Sequence, residues 1–162
     1  MHRDIAGIAR NLRSAICPRH RRIVTLGRLL FAWIIADGDM HLKNLAILKS
    51  AGPRSRQFTS VRFAPLYDPL TTFVFPELDR NMAFKLAGKD SRLVRKDFLT
   101  LARTIELPVD RADALITEMA SVLRKAATQI QLPLIANRRA RKEANAIAGK
   151  VAAIVRARAE AM

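Results

Sequence analysis

The chain has 162 residues, half of them apolar, which is enough for one domain with a hydrophobic core and too few for two ordinary domains. Lys and Arg number 29 against 14 Asp and Glu, and the net charge of +15 favours polyanions such as nucleotide phosphates, nucleic acid or an acidic protein. Because Cys17 is the single cysteine, an intramolecular disulfide and a thiolate zinc site are excluded. Aromatic residues make up 6% of the chain, too few for platforms that stack single-stranded nucleic acid.

The first part of the chain predicts two helices. Apolar residues recur at helical spacing over residues 4–16, before the break at Pro18. Residues 23–36 are apolar almost all round, which is typical of a helix buried on most sides, and we expect burial of Leu30, Trp33 and Ile34. That stretch contains Arg28 and is shorter than the roughly 20 residues that span a bilayer. We therefore expect no membrane segment and a protein of the reducing cytoplasm.

The rest of the chain predicts a small hairpin followed by helices. Residues 45–48 and 61–63 are short apolar runs on either side of a turn-rich stretch, which indicates two paired strands. Residues 82–86 are predicted as another short strand. Three helices are expected over residues 90–107, 111–130 and from about 137 to the C-terminus, with Asp90 or Ser91 capping the first. The fold is thus expected to be mainly α.

One short segment indicates chemistry. Between the apolar helix and the hairpin the chain reads Asp39-Met40-His41-Leu42-Lys43-Asn44. An aspartate five residues before an asparagine is the spacing of a kinase catalytic loop, which reaches a hydroxyl group and a metal-bound phosphate together. Asp39 would orient the hydroxyl proton of the substrate. Asn44 would offer its side-chain oxygen to Mg²⁺, which prefers oxygen ligands.

Asp68 follows the returning strand, where a second metal-binding carboxylate is needed. Simpler interpretations exist, since Asp37-Gly38-Asp39 is good turn chemistry and Asp68 could cap the chain before Pro69. The context favours chemistry, because a buried helix precedes the loop and a strand follows it. If both residues bind one metal ion, the side-chain oxygens of Asn44 and Asp68 should lie within about 5 Å of each other.

Three stretches of the chain, residues 26–48, 66–70 and 82–89, closely resemble the HipA family of bacterial serine/threonine kinases. In that family the catalytic loop has the form Asp-x-His-x-Lys-Asn, and the metal-binding aspartate lies in a Tyr-Asp pair. The first form matches Asp39 to Asn44, and the pair matches Tyr67 and Asp68. The resemblance covers residues 1–162 as the family's C-terminal, helical catalytic lobe, most specifically residues 23–89, with C-terminal helices in residues 91–162.

The resemblance implies a protein-kinase-like lobe with a β-hairpin at its metal site, and phosphorylation of a protein substrate with ATP and Mg²⁺. It implies that Asp39 is the catalytic residue and that Asn44 and Asp68 are the metal ligands. The implied residues around the nucleotide are His41, Leu42, Lys43, Asn44, Tyr67 and Asp68. His41 could instead brace the loop, and Lys43 could be a solvated charge. A toxin–antitoxin setting is also implied, with a DNA-binding antitoxin as partner and DNA contact through it.

The chain departs from the family before its catalytic loop. No glycine-rich phosphate loop or strand lysine precedes Asp39, and the 38 residues before it are too few for the N-terminal lobe that clamps ATP. We therefore expect the chain to need an N-terminal lobe, from an adjacent reading frame or a partner subunit. The alternative is a truncated remnant or non-catalytic basic module that contacts DNA or an antitoxin, and the charge of +15 does not discriminate between these classes.

Overall fold

The computed structural model describes residues 19–54, 57–78 and 81–162, so the helix expected over residues 4–16 lies outside the described residues. The described part is mainly helical with one two-stranded antiparallel sheet, as the sequence predicts. Its elements are helices α1 (Arg19–Ile34), α2 (Arg95–Thr104), α3 (Val109–Ala126) and α4 (Arg138–Glu160), and strands β1 (Ile47–Ala51) and β2 (Phe58–Phe63).

Helix α1 lies at the centre of the core, and α2, α3 and α4 pack around it. Leu30 and Ile34 are fully buried and Trp33 is 5% exposed, which confirms the burial predicted for this helix. The helix begins at Arg19, earlier than predicted. The apolar pattern does not reveal the first turn because that turn is basic. It ends at Ile34, before the predicted residue 36.

The predicted hairpin follows, with β1 and β2 paired so that Ile47 lies opposite Phe63 and Ser50 opposite Ser60. Strand β1 begins at Ile47, later than the predicted residue 45, since Leu45 packs against the core instead. The Ala64 N–H donates to the Ala46 carbonyl at 2.9 Å and closes the base of the hairpin. The chain therefore enters and leaves the hairpin at this base.

Two arginines of α1 hold this hairpin against the core. Arg21 donates to the Val61 carbonyl and Arg28 donates to the Ala64 carbonyl. The Arg28 guanidinium also lies 4.9 Å from the centre of the Phe63 ring, and burial lowers its pKa. Since β1 is exposed along its whole length, these polar and cation–π contacts, with little apolar burial, fix the position of the hairpin.

Residues 82–86 do not form the predicted strand, so this prediction was wrong. Their side chains alternate between buried and less buried as in a strand, but none of the described residues pairs with them as a neighbouring strand. Instead, Leu86 and Lys89 exchange two backbone hydrogen bonds of 2.7 and 2.9 Å across a tight turn. The turn residues Ala87 and Gly88 have positive φ angles of 49° and 81°, which is the geometry of a type I′ turn.

Helix α2 is shorter than predicted at both ends, because left-handed residues lie just outside it. Asp90 and Ser91 do not cap the helix, since Arg92 has a φ of 51° that a right-handed helix cannot contain. At the other end Glu106 has a φ of 55°, so the helix stops at Thr104, before the predicted residue 107.

Asp97, in the first turn of α2, takes the capping role that the sequence predicts for Asp90 or Ser91. Its carboxylate accepts the Val94 N–H at 2.9 Å and pairs with the Lys89 ammonium at 2.9 Å. Burial alone would raise the pKa of Asp97, but the Val94 N–H and the Lys89 ammonium hold it below its ordinary value. The carboxylate therefore joins the turn at residues 86–89 to the start of α2.

Helices α3 and α4 complete the core. Helix α3 begins directly after Pro108, earlier than predicted, and it ends at Ala126, short of the predicted residue 130. Helix α4 begins at Arg138, close to the predicted start, and the side-chain oxygen of Asn137 caps it by accepting the Ala140 N–H at 3.0 Å. Within the ranges that the structure describes, no helix has both the length and the apolar character to cross a membrane.

Arg158 of α4 braces the C-terminal end of α1. Its guanidinium lies 3.8 Å from the centre of the Trp33 ring and donates to the Trp33 carbonyl at 2.6 Å. Burial lowers the pKa of Arg158 to about 10, so the side chain stays charged at neutral pH. Helix α4 is thus attached to the point at which α1 passes into the segment that carries Asp39.

Candidate active site

Helix α1 ends in a backbone turn that fixes where the Asp39 loop (residues 37–44) begins. Ala36 has a φ of 60°, and its N–H donates to the Trp33 carbonyl at 3.1 Å. The next N–H, that of Asp37, donates to the Ala32 carbonyl at 2.9 Å. This pair of bonds is a Schellman motif, which usually has glycine at the left-handed position. The chain therefore leaves the buried helix in one defined direction.

Asn44 braces the Asp39 loop from within. Its side-chain oxygen accepts the His41 N–H at 2.9 Å, and its own N–H donates to the His41 carbonyl at 2.9 Å. Asn44 is 6% exposed and ends a single 3-10 turn that begins at Leu42. Since an amide oxygen has two lone pairs, one remains for a metal ion.

The Asp68 segment (residues 67–72) lies against this loop. The Tyr67 hydroxyl donates to the Lys43 carbonyl, and the Thr71 hydroxyl donates to the carbonyl of Ile35. The Thr72 hydroxyl accepts the Gly38 N–H at 2.8 Å. These contacts span the segment from one end to the other, so the two parts of the chain with the predicted site residues are joined side by side.

Asp68 lies between these points of attachment in an uncommon backbone conformation. Its φ is 55°, a left-handed angle that Asp adopts more readily than most residues. The side chain is exposed, and within the described ranges its carboxylate has no hydrogen bond or ion pair. Left-handed residues held by the surrounding structure are frequent at functional sites. The carboxylate of Asp68 is therefore available for a ligand.

The remaining predicted site residues lie on the surface of the loop. Asp39, His41 and Lys43 are exposed, and their side chains have no hydrogen-bond or ion-pair partner among the residues that the structure describes. Tyr67 is also exposed, with its hydroxyl on Lys43. The Leu42 side chain lies outside the described part. The convergence of the Asn44 and Asp68 oxygens to within about 5 Å stays a prediction.

Amide and carboxylate oxygens, the donors that Asn44 and Asp68 carry, suit magnesium better than a transition metal. In the described part of the chain, no three His, Cys, Asp or Glu side chains converge as a metal cluster. The predicted ligands Asn44 and Asp68 would supply one amide and one carboxylate oxygen. Mg²⁺ is commonly held by one or two protein oxygens together with water and substrate phosphates, so these two ligands suffice.

Two buried residues that the sequence pattern does not single out also belong to this arrangement, Asp37 and Thr72, which are 5% and 3% exposed. The residue types around Asp37 indicate only a turn, although a carboxylate directly after a buried apolar helix is a signal of a hydrogen-bonded role. Thr72 carries no such signal, because nothing in its neighbourhood distinguishes it from Thr71.

The comparisons with known proteins show which family the chain belongs to. The family model described as the HipA-like C-terminal domain matches residues 2–127, which is most of the chain. The chain belongs to the HipA family. The resemblance of residues 26–48, 66–70 and 82–89 to HipA proteins is therefore confirmed, and the chain corresponds to a HipA C-terminal region.

A solved structure supports the HipA fold over nearly the whole chain. It is the complex of HipA, HipB and operator DNA from the toxin–antitoxin system of Shewanella oneidensis MR-1, matched with a TM-score of 0.76 at 13% identity. The match covers 98% of this chain and 35% of the matched chain, so this chain spans about a third of that protein's length. Among curated proteins, none matches this sequence.

Proposed function

We propose that the chain is the catalytic C-terminal lobe of an ATP- and Mg²⁺-dependent protein serine/threonine kinase of the HipA toxin type. On this proposal residues 1–162 form one kinase-like lobe, and the hairpin of β1 and β2 lies next to its metal site. An N-terminal lobe supplies the glycine-rich loop and lysine that position the phosphates. The assembled protein, meaning this chain together with that lobe, is the active form.

The observation that carries the proposal is the attachment of the Asp68 segment to the Asp39 loop. The Tyr67 hydroxyl bonds the Lys43 carbonyl next to Asn44, and the Thr72 hydroxyl accepts the Gly38 N–H next to Asp39. Tyr67, Lys43 and Gly38 each adjoin a proposed functional residue, and Thr72 lies in the same short segment as Asp68. The attachment thereby supports a common cleft for Asp39, Asn44 and Asp68.

In this cleft Asp39 is the proposed base. The substrate hydroxyl oxygen would bond to the γ-phosphorus of ATP as the bond to ADP breaks, and Asp39 would take or orient the hydroxyl proton. Asn44 and Asp68 would hold Mg²⁺, which when bound neutralises charge on the phosphates. The exposed residues His41 and Lys43, with Leu42 and Tyr67, would line the approach to the nucleotide.

The proposed partners follow from the family and the charge. The substrate would be a protein with a serine or threonine hydroxyl, and a DNA-binding antitoxin would bind the assembled protein in the cytoplasm. The matched Shewanella complex contains HipA, HipB and operator DNA, which supports DNA contact through the antitoxin. The net charge of +15 suits a surface that lies close to nucleic acid.

The test is the affinity of the assembled protein for Mg²⁺-ATP, measured by calorimetric titration. We expect Asp68→Asn to weaken binding by about tenfold or more, because it removes a charged oxygen ligand. Mutation of residues that only support a metal ligand already lowers metal affinity by about 10–100-fold. The matched control is Asp110→Asn, which makes the same change on the exposed first turn of α3 and should leave affinity unaltered. Equal affinity of Asp68→Asn and the wild type would refute the metal site.

A further inference from the structure

Asp37 is a buried acid at the junction of the Asp39 loop and the Asp68 segment. It is 5% exposed, and none of the described ion pairs contains it. A buried carboxylate is costly unless hydrogen bonds compensate for its lost hydration. The acid therefore requires donors from its surroundings.

The donor that the geometry shows is the backbone N–H of the proposed base. The Asp37 carboxylate accepts the Asp39 N–H at 3.1 Å. The backbone N–H groups of Leu70 and Met40 also favour the ionised carboxylate and lower its pKa. Asp37 thus bonds the peptide unit of the proposed base directly.

We propose that Asp37 is a positioning residue, whose carboxylate sets the direction of Asp39 by holding its backbone N–H. This inference rests on the proposed function. The hydroxyl contacts of the Asp68 segment reach Lys43, Ile35 and Gly38, and none of them reaches the Asp39 N–H. Within the described residues, Asp37 is the side chain that holds this N–H.

The electrostatics agree with a role in holding N–H groups. Burial raises the pKa of Asp37 above its ordinary value of 3.8, and the backbone N–H groups of Asp39, Leu70 and Met40 oppose that rise. The negative charge of Asp39 raises it further. Since the useful atoms are the acceptor oxygens, an asparagine should replace Asp37 better than an alanine does.

The first test is amide hydrogen exchange in the 162-residue chain. Asp37→Ala should lower the protection of the Asp39 amide by about tenfold or more, which corresponds to losing a hydrogen bond to a charged acceptor. Protection within α1 should be unchanged. The matched control is Asp97→Ala, because Asp97 is also 5% exposed and also accepts a backbone N–H. Unchanged protection of the Asp39 amide in Asp37→Ala would overturn the inference.

The second test is the steady-state kinetics of the assembled protein. Asp37→Ala should lower kcat by about tenfold and leave the KM for Mg²⁺-ATP within about threefold, because Asp39 is not a proposed metal ligand. Asp37→Asn should keep both constants within about threefold of the wild type because it keeps an acceptor oxygen. Asp97→Ala should change neither constant. If Asp37→Ala behaves like Asp97→Ala in an active protein, the positioning role is wrong although the proposed function stands. A wild type without Mg²⁺-ATP turnover would overturn both.

Discussion

Asp39→Asn is expected to lower phosphoryl transfer by the assembled protein by at least about a hundredfold, the contribution typical of an acid or base group. The substitution keeps the shape of the side chain and removes the carboxylate that would orient the substrate hydroxyl. Asp39 is exposed, with its side chain unbonded among the described residues, so the change should leave the fold intact. Nucleotide affinity should persist, since Asp39 is not a proposed metal ligand. Transfer of labelled phosphate from ATP to protein measures the first effect, and nucleotide titration measures the second.

The same experiment separates a kinase from a basic binding module. A module that binds DNA without chemistry would gain one unit of positive charge from Asp39→Asn, so its affinity for DNA should be unchanged or slightly higher. The control Asp110→Asn makes the same change of charge on α3 and should leave both transfer and nucleotide affinity unaltered. Equal transfer by Asp39→Asn and the wild type would contradict the kinase proposal.

The largest stability effect is expected at the centre of the core. Leu30→Ala should lower the free energy of unfolding by about 2 to 5 kcal/mol, because it removes buried methyl groups and leaves a cavity that the neighbours fill incompletely. Leu30 is fully buried in α1 between the other helices, so the site has little freedom to collapse. Urea unfolding followed by circular dichroism measures the change.

A matched leucine provides the control for that experiment. Leu134 lies on the connection between α3 and α4 and is fully exposed. Leu134→Ala deletes the same atoms without creating a cavity and should change the unfolding free energy by at most about 0.5 kcal/mol. If the two substitutions had equal effects, the core would not be centred on α1.

The sequence was a good guide to the elements and a poor guide to their ends. The all-round apolar pattern identified α1, and two short apolar runs around a turn identified the hairpin. The ends of the helices depend on residues with left-handed backbone angles. The residue types do not predict these angles, since Ala36, Arg92 and Glu106 are neither glycine nor asparagine. Such conformations are imposed by tertiary packing, so local patterns cannot predict them.

The sequence likewise predicts some residues of the candidate site and not others. Spacing and family resemblance named Asp39, Asn44 and Asp68, because catalytic loops keep their polar residues at fixed intervals. They did not reveal that Thr72 joins the two segments, since its contact with Gly38 crosses more than thirty residues of chain. Long-range hydrogen bonds of buried polar residues become visible only in the folded protein.

A crystal structure tests most directly the proposal that Asn44 and Asp68 hold one metal ion beside Asp39. The assembled protein would be crystallised with Mg²⁺ and a non-hydrolysable ATP analogue. We expect a metal ion about 2.1 Å from the side-chain oxygens of both Asn44 and Asp68, bound to the nucleotide phosphates, with Asp39 facing the γ-phosphate. A nucleotide bound elsewhere, or a metal ion that neither residue contacts, would contradict the account.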